Sequence, residues 1–230
     1  INHRAGEKLA NYIINSGRKA LFICANVSDG EEVNKAVDKV RSTFNRLDIL
    51  YNNASIYLPE KDGKITEIDE DVWDQIINTN LKSIYYFCKY SIPLMINSGG
   101  GSIINTSSSA GLIGIPNCDA YTATKGATIA LTRSLAVEYG PLGIRVNCIA
   151  PAAIKTKMLN SSSLKDRNFD EEMFLKLRTP LRRYGNPEEI ANIALFLASD
   201  ESSYLNGEVI VADGGITING DLSRINKNNN

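Results

Sequence analysis

The chain has 230 residues, is 43% hydrophobic and 22% charged, and carries a formal net charge of -1, which is typical of one globular domain that can bury a core. This charge balance argues against nucleic acid or an anionic membrane as a partner, and no apolar run approaches the ~20 residues of a membrane helix. The single histidine, His3, lies at the N-terminus, which excludes a Ser-His-Asp hydrolase and a zinc site of clustered histidines.

Apolar strands alternate with amphipathic helices along the chain. Helices are expected at about 5–15, from a Ser28–Glu31 capping box to Phe44, near Asp71, at 81–97 and at 121–139. Strands are expected at Ala20–Ala25, Asp48–Tyr51, Ser102–Thr106, Ile144–Ala150 and Glu208–Val211. The alternation predicts an α/β fold, a doubly wound and mostly parallel sheet with helices on both faces. We expect one domain over residues 1–222, followed by a disordered polar tail at 223–230.

The four cysteines are far apart and lie mostly in apolar segments. This spacing predicts buried free thiols in a reducing compartment, and therefore a cytoplasmic protein, instead of a disulfide framework. The residues concerned are Cys24, Cys88, Cys118 and Cys148.

Two helices have notable apolar faces. In the first, Leu9, Tyr12 and Ile13 share one side. The helix 81–97 is apolar on more than one side, which is typical of a helix that is buried all round. Because the sheet can cover only one of its sides, a second copy of the chain is expected to cover the rest, in a homo-oligomer that is a dimer or a tetramer.

The pair Tyr121 and Lys125 has the spacing of two residues on one helix face. An ammonium beside a phenol favours the phenolate, so Lys125 is expected to lower the pKa of Tyr121 and make it an acid/base catalyst. The same spacing occurs at Tyr57/Lys61 and at Tyr85/Lys89. Pro59 excludes a helical turn at the first of these pairs, and Tyr85 is better explained by packing inside the helix 81–97.

The surroundings of Tyr121 distinguish it from the other two tyrosines. A strand that ends in the hydroxyl residues Thr106, Ser107, Ser108 and Ser109 precedes it, and Ser108 lies thirteen residues before the tyrosine, followed by Ala110-Gly111. In this order of motifs the sequence resembles the short-chain dehydrogenase/reductases of the Y-x-x-x-K type. The resemblance implies that Ser108 holds the substrate oxygen.

Further segments along the chain carry the same resemblance. They are the turn Asn52-Asn53-Ala54-Ser55, the segment Asn78-Thr79-Asn80-Leu81, the strand Arg145–Pro151 and the segment Val211–Gly215. Residue by residue, the resemblance implies a catalytic set of Tyr121, Lys125, Ser108 and Asn80. It implies cofactor contacts from Asn26, Val27, Asn53, Ala54, Thr106, Tyr121, Lys125, Pro151, Ile154 and Thr156.

The activity implied is hydride transfer between a nicotinamide cofactor and a secondary alcohol or ketone. Tyr121 would transfer the proton, Lys125 would also bind the nicotinamide ribose, and Asn80 would support a water relay to Lys125. The implied fold is Rossmann-like. NAD is expected in preference to NADP, although the residue that selects between them in the family falls before Ile1. The segment from Lys157 to about Thr179 is expected to form a mobile lid that sets the substrate.

The sequence also departs from the family pattern. The glycine-rich loop T-G-x-x-x-G-x-G is absent, so the first βαβ unit is expected to be incomplete and the chain to be an N-terminally truncated fragment. Ser55 and Ala152 stand where the family has glycine, and Asn26 stands where relatives have aspartate. The alternative function is a non-catalytic remnant that binds a partner or forms part of an oligomer; a hydrolase or an epimerase is a weaker alternative.

Overall fold

The computed structural model describes residues 2–160 and 170–220, which form eight α-helices and four β-strands. The strands are β1 (Ile49–Asn52), β2 (Gly101–Thr106), β3 (Ile144–Pro151) and β4 (Val209–Ala212). The helices are α1 (His3–Asn15), α2 (Gly30–Phe44), α3 (Glu70–Ile77), α4 (Ser83–Asn97), α5 (Asp119–Tyr139), α6 (Lys157–Asn160), α7 (Glu171–Arg178) and α8 (Pro187–Ala198).

The four strands form one parallel sheet in the order β1-β2-β3-β4. Helices connect them, as parallel neighbours require. In the register, Asn52 lies opposite Asn105 and Thr106 lies opposite Ile149. The carboxyl ends of the strands therefore meet at one edge of the sheet, where ligands bind in open α/β sheets.

Helices cover both faces of the sheet, as predicted. Successive residues of β2 point to opposite faces. Ile103 packs with α4 and α5 in a core that includes Ile84 and Met95, whereas Ile104 packs with α8 around Leu197. This two-sided burial explains why the strands are continuous apolar runs. The fold is the predicted doubly wound α/β fold.

One predicted strand is absent. Residues 20–25 form no strand, because no neighbour in the described part of the chain pairs with them. The prediction that Cys24 is buried is wrong for the same reason, since an unpaired segment does not bury its side chains. At the nearby outer edge of β1, Ile49 is 46% exposed. The other three cysteines are buried and free.

Several local predictions needed correction. The second helix begins one residue later than predicted, because Asp29 and not Ser28 is its N-cap and accepts hydrogen bonds from the backbone of Glu31 and Glu32. A π-helical turn at Asn78–Lys82 precedes α4, so the predicted helix 81–97 begins inside that turn. The apolar face of α1 lies exposed, with Tyr12 at 73%.

The expected burial of α4 on every side requires a second copy of the chain, and the single chain covers only part of the helix. Ile84, Cys88, Ile92 and Met95 pack in the core, whereas Tyr85 is 49% exposed. The predicted tail 223–230 and the middle of the predicted lid, 161–169, lie outside the described residues. Within the described ranges, no helix combines the length and hydropathy needed to cross a bilayer.

Candidate active site

Polar side chains gather at the carboxyl ends of β1 and β2. Thr106 closes β2, and its hydroxyl donates to Asn53 Oδ1 beyond the end of β1, at 3.0 Å. Both residues belong to the predicted cofactor set, and Ala54 lies exposed beside Asn53. Asn105 of β2 is buried and joins this strand to β1 and to α5. Its Oδ1 accepts from Asn52 of β1, and its Nδ2 donates to Thr132 of α5. The strand ends are therefore locked to each other and to α5.

Helix α5 approaches the end of β2 very closely. Ser107 is buried, and its hydroxyl donates to the backbone carbonyl of Lys125 at 2.7 Å. A Cβ added to Gly111 would lie 2.7 Å from that same carbonyl group and 2.8 Å from Ser107 Oγ. Only glycine permits this contact, which is the physical reason for the Ala110-Gly111 pattern. Ser107 thus acts inside the fold, and Ser108 faces the site.

The three predicted catalytic residues of this region lie together. Ser108 caps the short 3-10 turn Ser109–Gly111, accepting a hydrogen bond from Ala110 N at 3.2 Å, and its hydroxyl lies close enough to the Tyr121 phenol to lower the pKa of that group. Lys125 is 2% exposed. Its Nζ lies 5.3 Å from the centre of the Tyr121 ring and donates to the Thr106 carbonyl at 3.0 Å.

Burial dominates the titration of the Tyr121 phenol and the Lys125 ammonium. It raises the pKa of Tyr121 to about 12, and the hydrogen bond from Ser108 opposes that rise. It lowers the pKa of Lys125 to about 8. The prediction that Lys125 lowers the pKa of Tyr121 is therefore wrong, because the effect of burial on the phenol dominates. At pH 7 the lysine remains charged by about ten to one.

Asn80 lies in the π-helical turn before α4 and is 1% exposed. Its Oδ1 accepts from Ile56 N at 2.8 Å, and its Nδ2 donates to Ile56 O at 2.9 Å. The same Nδ2 is 3.4 Å from Thr124 Oγ1, which in turn donates to the Tyr121 carbonyl. Asn80 therefore joins the segment after β1 to the first turns of α5, within reach of the catalytic residues.

The predicted cofactor contacts outside the strand ends β1 and β2 form two groups. Pro151 ends β3, and Ile154 pairs with Gly185 in an isolated parallel bridge, with Thr156 exposed just beyond. Asn26 and Val27 lie in the segment before α2.

Asn26 forms a local turn of its own. Its Oδ1 already accepts from the backbone and the hydroxyl of Ser28, at 3.1 and 2.8 Å. The oxygen that was predicted to accept a hydrogen bond from an adenine amine thus has both lone pairs occupied in this structure.

The residues at the sheet edge fit the ribose and nicotinamide half of a dinucleotide. An ammonium has three N–H donors, and within the described residues Lys125 Nζ uses one, on Thr106 O. Two donors remain for a pair of ribose hydroxyls. Ser55, at the position of the family glycine, keeps a buried hydroxyl with no partner among the described residues. Lys125 and the loop 151–156 would hold this half of the cofactor.

Three residues of the site escaped the sequence analysis. The Tyr57 ring is 4.9 Å from the Tyr121 ring, although Tyr57 had been set aside because Pro59 prevents a helical turn. Asp62 is buried against the start of α5. Cys118, the N-cap residue of α5, is buried beside them. Nothing in the local sequence marks these residues, because the loop 53–69 brings them together only in the fold.

The two other Y-x-x-x-K pairs lie away from the site. Lys89 Nζ is 5.6 Å from the Tyr85 ring on the exposed surface of α4. Within the single chain, packing accounts for only part of the Tyr85 side chain, which is 49% exposed. Across residues 2–160 and 170–220, no three His, Cys, Asp or Glu side chains are placed to hold a metal ion.

Comparisons with known proteins agree on one family. A family model described as enoyl-(acyl carrier protein) reductase matches residues 1–217. Cyclohexanol dehydrogenase of Acinetobacter sp. is 37% identical over 220 residues, which is 94% of this chain and 82% of that protein. The 3-oxoacyl-(acyl-carrier-protein) reductase FabG of Thermotoga maritima is 42% identical over 193 residues, covering 84% of this chain and 75% of that protein.

Solved structures extend the agreement. Levodione reductase superposes with a TM-score of 0.88 at 33% identity, over 95% of this chain and 86% of that one. A gluconate 5-dehydrogenase from Burkholderia cenocepacia, solved with NADP and tartrate, gives a TM-score of 0.86 at 30% identity, over 94% and 83% of the two chains. The chain therefore belongs to the short-chain dehydrogenase/reductase family and is an NAD(P)-dependent oxidoreductase that acts on CH-OH groups.

Proposed function

We propose that the protein interconverts a secondary alcohol and its ketone, with Tyr121 as the acid/base and Ser108 as the group that holds the substrate oxygen. The observation that carries this proposal is the contact between their two side chains at the end of β2, with Lys125 one helical turn beyond Tyr121. The cyclic-alcohol and ketone relatives named above support the same substrate class.

In the proposed mechanism the substrate oxygen lies between Ser108 and Tyr121. During oxidation, Tyr121 takes the proton of the alcohol while Ser108 donates a hydrogen bond to the same oxygen; during reduction, Tyr121 returns the proton. The nicotinamide, when bound, accepts or donates the hydride. Lys125 would bind the ribose through the N–H donors that the Thr106 carbonyl leaves free, and so hold the cofactor beside Tyr121. Asn80 holds the segment at Ile56 and supports the relay of protons toward Lys125.

A substrate panel tests the proposed function. Secondary alcohols, including cyclic alcohols and sugar acids, are incubated with NAD or NADP, and reduced nicotinamide is followed by its absorbance; ketones and 3-oxoacyl thioesters are tested in reverse. We expect turnover of at least one secondary alcohol. We propose NAD as the preferred cofactor. Turnover of primary alcohols alone, or a higher kcat/KM with NADP, would contradict the respective proposal.

We also propose that a second copy of the chain covers the exposed face of α4 and α5. Tyr85 lies on an open apolar groove of about 610 Å³. The groove is lined by Ile77, Leu81, Lys82, Tyr85, Ala127, Ala130, Leu131 and Ser134. In a two-fold dimer, the same groove of a second copy would pack against this one and bury these side chains.

Replacing Ala130 with glutamate would place an unpaired charge in that interface. We expect Ala130→Glu to lower the molar mass measured by light scattering after size exclusion, whereas Leu9→Glu, at an exposed leucine of α1, leaves it unchanged. An unchanged oligomer in Ala130→Glu would mean that another face forms the contact.

A further inference from the structure

We propose that Asp62 is a positioning residue, which holds the first turn of α5 and with it Tyr121 at the substrate oxygen. The inference rests on the function proposed for Tyr121 and adds a residue that the sequence did not indicate. Asp62 lies in the loop between β1 and α3 and is 5% exposed. It belongs neither to the turn Asn52–Ser55 nor to the segment Asn78–Leu81, which are the motifs before and after it in the chain.

The carboxylate of Asp62 caps helix α5 from outside that helix. Its Oδ1 accepts from Ala120 N at 3.1 Å, and its Oδ2 accepts from Tyr121 N at 2.9 Å. The N-cap residue of α5 itself, Cys118, makes no side-chain cap hydrogen bond. The first N–H groups of a helix have no partner within the helix, and a negative charge is favourable there. Asp62 supplies both the acceptors and the charge.

Two further hydrogen bonds join the same loop to the start of α5. Asp119 N donates to Gly63 O at 3.2 Å, and Ile65 N donates to Asp119 Oδ2 at 2.9 Å. Together with the two bonds of Asp62, these contacts join the loop 62–65 to the residues immediately before and at Tyr121. The main chain of Tyr121 is therefore held by the loop as well as by its own helix.

The same loop also touches the Tyr121 side chain. Tyr57, five residues before Asp62, packs its ring 4.9 Å from the Tyr121 ring. Ile56 is held on both its N–H and its carbonyl by Asn80. The loop is thus anchored at Ile56 and at Asp62, and it faces Tyr121 between these two anchors. One helical turn beyond Tyr121, Ser107 holds the carbonyl of Lys125. Residues outside α5 therefore hold both the turn that carries Tyr121 and the turn after it.

A carboxylate suits this position better than an amide. Two consecutive N–H groups, those of Ala120 and Tyr121, are bonded by two different oxygens of one side chain. In asparagine an NH2 donor replaces one of these oxygens and would face one of the two N–H donors. Ala120 is fully buried, so water cannot replace the lost acceptor there. Removal of the carboxylate would loosen the turn that carries Tyr121.

The test compares Asp62→Ala and Asp62→Asn with Asn206→Ala. Asn206 is a matched control, because it clamps the other end of α5, donating to Ala136 O and accepting from Val146 N, both at 2.9 Å. Ala136 is about 22 Å along the helix from Tyr121. All three variants remove hydrogen bonds from the same helix, but only those at Asp62 disturb the turn of Tyr121.

We expect Asp62→Ala to lower kcat roughly 10- to 100-fold, since misplacing a catalytic group by ~1 Å has effects of this size, with a smaller change in the KM of the cofactor. Asp62→Asn should recover part of that loss through its remaining acceptor. Asn206→Ala should lower Tm and leave kcat unchanged. Asp62 is not a positioning residue if kcat falls in the same proportion to the loss of Tm in Asp62→Asn and in Asn206→Ala. The same conclusion follows if Asp62→Ala keeps the full kcat.

A second readout is independent of turnover. In protein labelled with carbon-13 at tyrosine Cζ, the Tyr121 resonance is assigned by its absence from Tyr121→Phe. We expect this resonance to shift or broaden in Asp62→Asn and to stay in place in Asn206→Ala. An unmoved resonance in Asp62→Asn overturns the inference. If the resonance moves but the protein oxidises no secondary alcohol, the positioning role of Asp62 is upheld and the proposed function is overturned instead.

Discussion

Tyr121→Phe is expected to lower kcat for alcohol oxidation by at least 10²-fold, and up to about 10⁴-fold, because a positioned acid/base contributes this much to catalysis. The substitution removes only the phenolic oxygen. The ring keeps its packing against Tyr57, so the fold and the affinity for cofactor should be retained. Steady-state rates, together with the Kd of reduced cofactor measured by fluorescence, check both parts of the expectation.

The chain contains a matched control for this substitution. Tyr85 has the same chemical group, a lysine at the same spacing and a cation over its ring, but it lies on the surface of α4. Tyr85→Phe should leave kcat unchanged. Equal activity of Tyr121→Phe and the unmodified protein would remove Tyr121 from its proposed role, and equal losses in both variants would point to a general effect on folding.

Lys125→Met is expected to have two opposite effects, a loss of activity and a gain in stability. Methionine fills the space of the lysine stem but has no N–H donor for the ribose, so the cofactor is held less accurately beside Tyr121 and kcat falls by about 10²-fold. Burial lowers the pKa of Lys125 from 10.5 to about 8. Its charged form therefore destabilises the folded state below pH 8, and this penalty diminishes as the pH rises toward 10.5.

Removing the buried charge should therefore raise Tm at pH 7. A net gain of about 1 kcal/mol, after the loss of the bond to Thr106 O, corresponds to about 2–4 °C for a chain of this size. Calorimetry at pH 7 and pH 9 checks the sign, since the gain should shrink at the higher pH. Lys89→Met, at the exposed pair on α4, should change neither Tm nor kcat. A lower Tm in Lys125→Met would mean that the lysine has a mainly structural role.

The sequence predicted the parts of the fold that depend on local pattern. Strands β1 to β4 were predicted within one residue of their observed ends, because each is a short apolar run. The segment 20–25 has the same pattern but forms no strand. A strand depends on its neighbours as well as on its own residues, and no described strand pairs with this one.

The site was predictable where its residues lie in ordered motifs. Ser108, Tyr121 and Lys125 come together because a strand end and a helix turn have fixed spacing along the chain. Tyr57 and Asp62 reach the same point through an irregular loop, whose path no periodicity describes. Their contacts with Tyr121 depend on Asn80 holding Ile56, and this tertiary contact leaves no trace in the spacing of residues.

The electrostatics of the site were the least predictable part. From the spacing alone, Lys125 was expected to lower the pKa of Tyr121. The structure buries both residues, and burial raises the pKa of the phenol and lowers that of the ammonium. The extent of burial depends on how closely α5 approaches β2 at Gly111, which the sequence indicates only as a glycine.

The central claim is that Tyr121 enables hydride transfer from the carbon of a secondary alcohol. Its most direct test uses a secondary alcohol that carries deuterium on that carbon, with the cofactor analysed by mass spectrometry after incubation. We predict that the deuterium appears in the reduced nicotinamide with the unmodified protein and at most at 1% of that rate with Tyr121→Phe. Deuterium that fails to reach the nicotinamide, or that is transferred equally fast by Tyr121→Phe, would contradict the account.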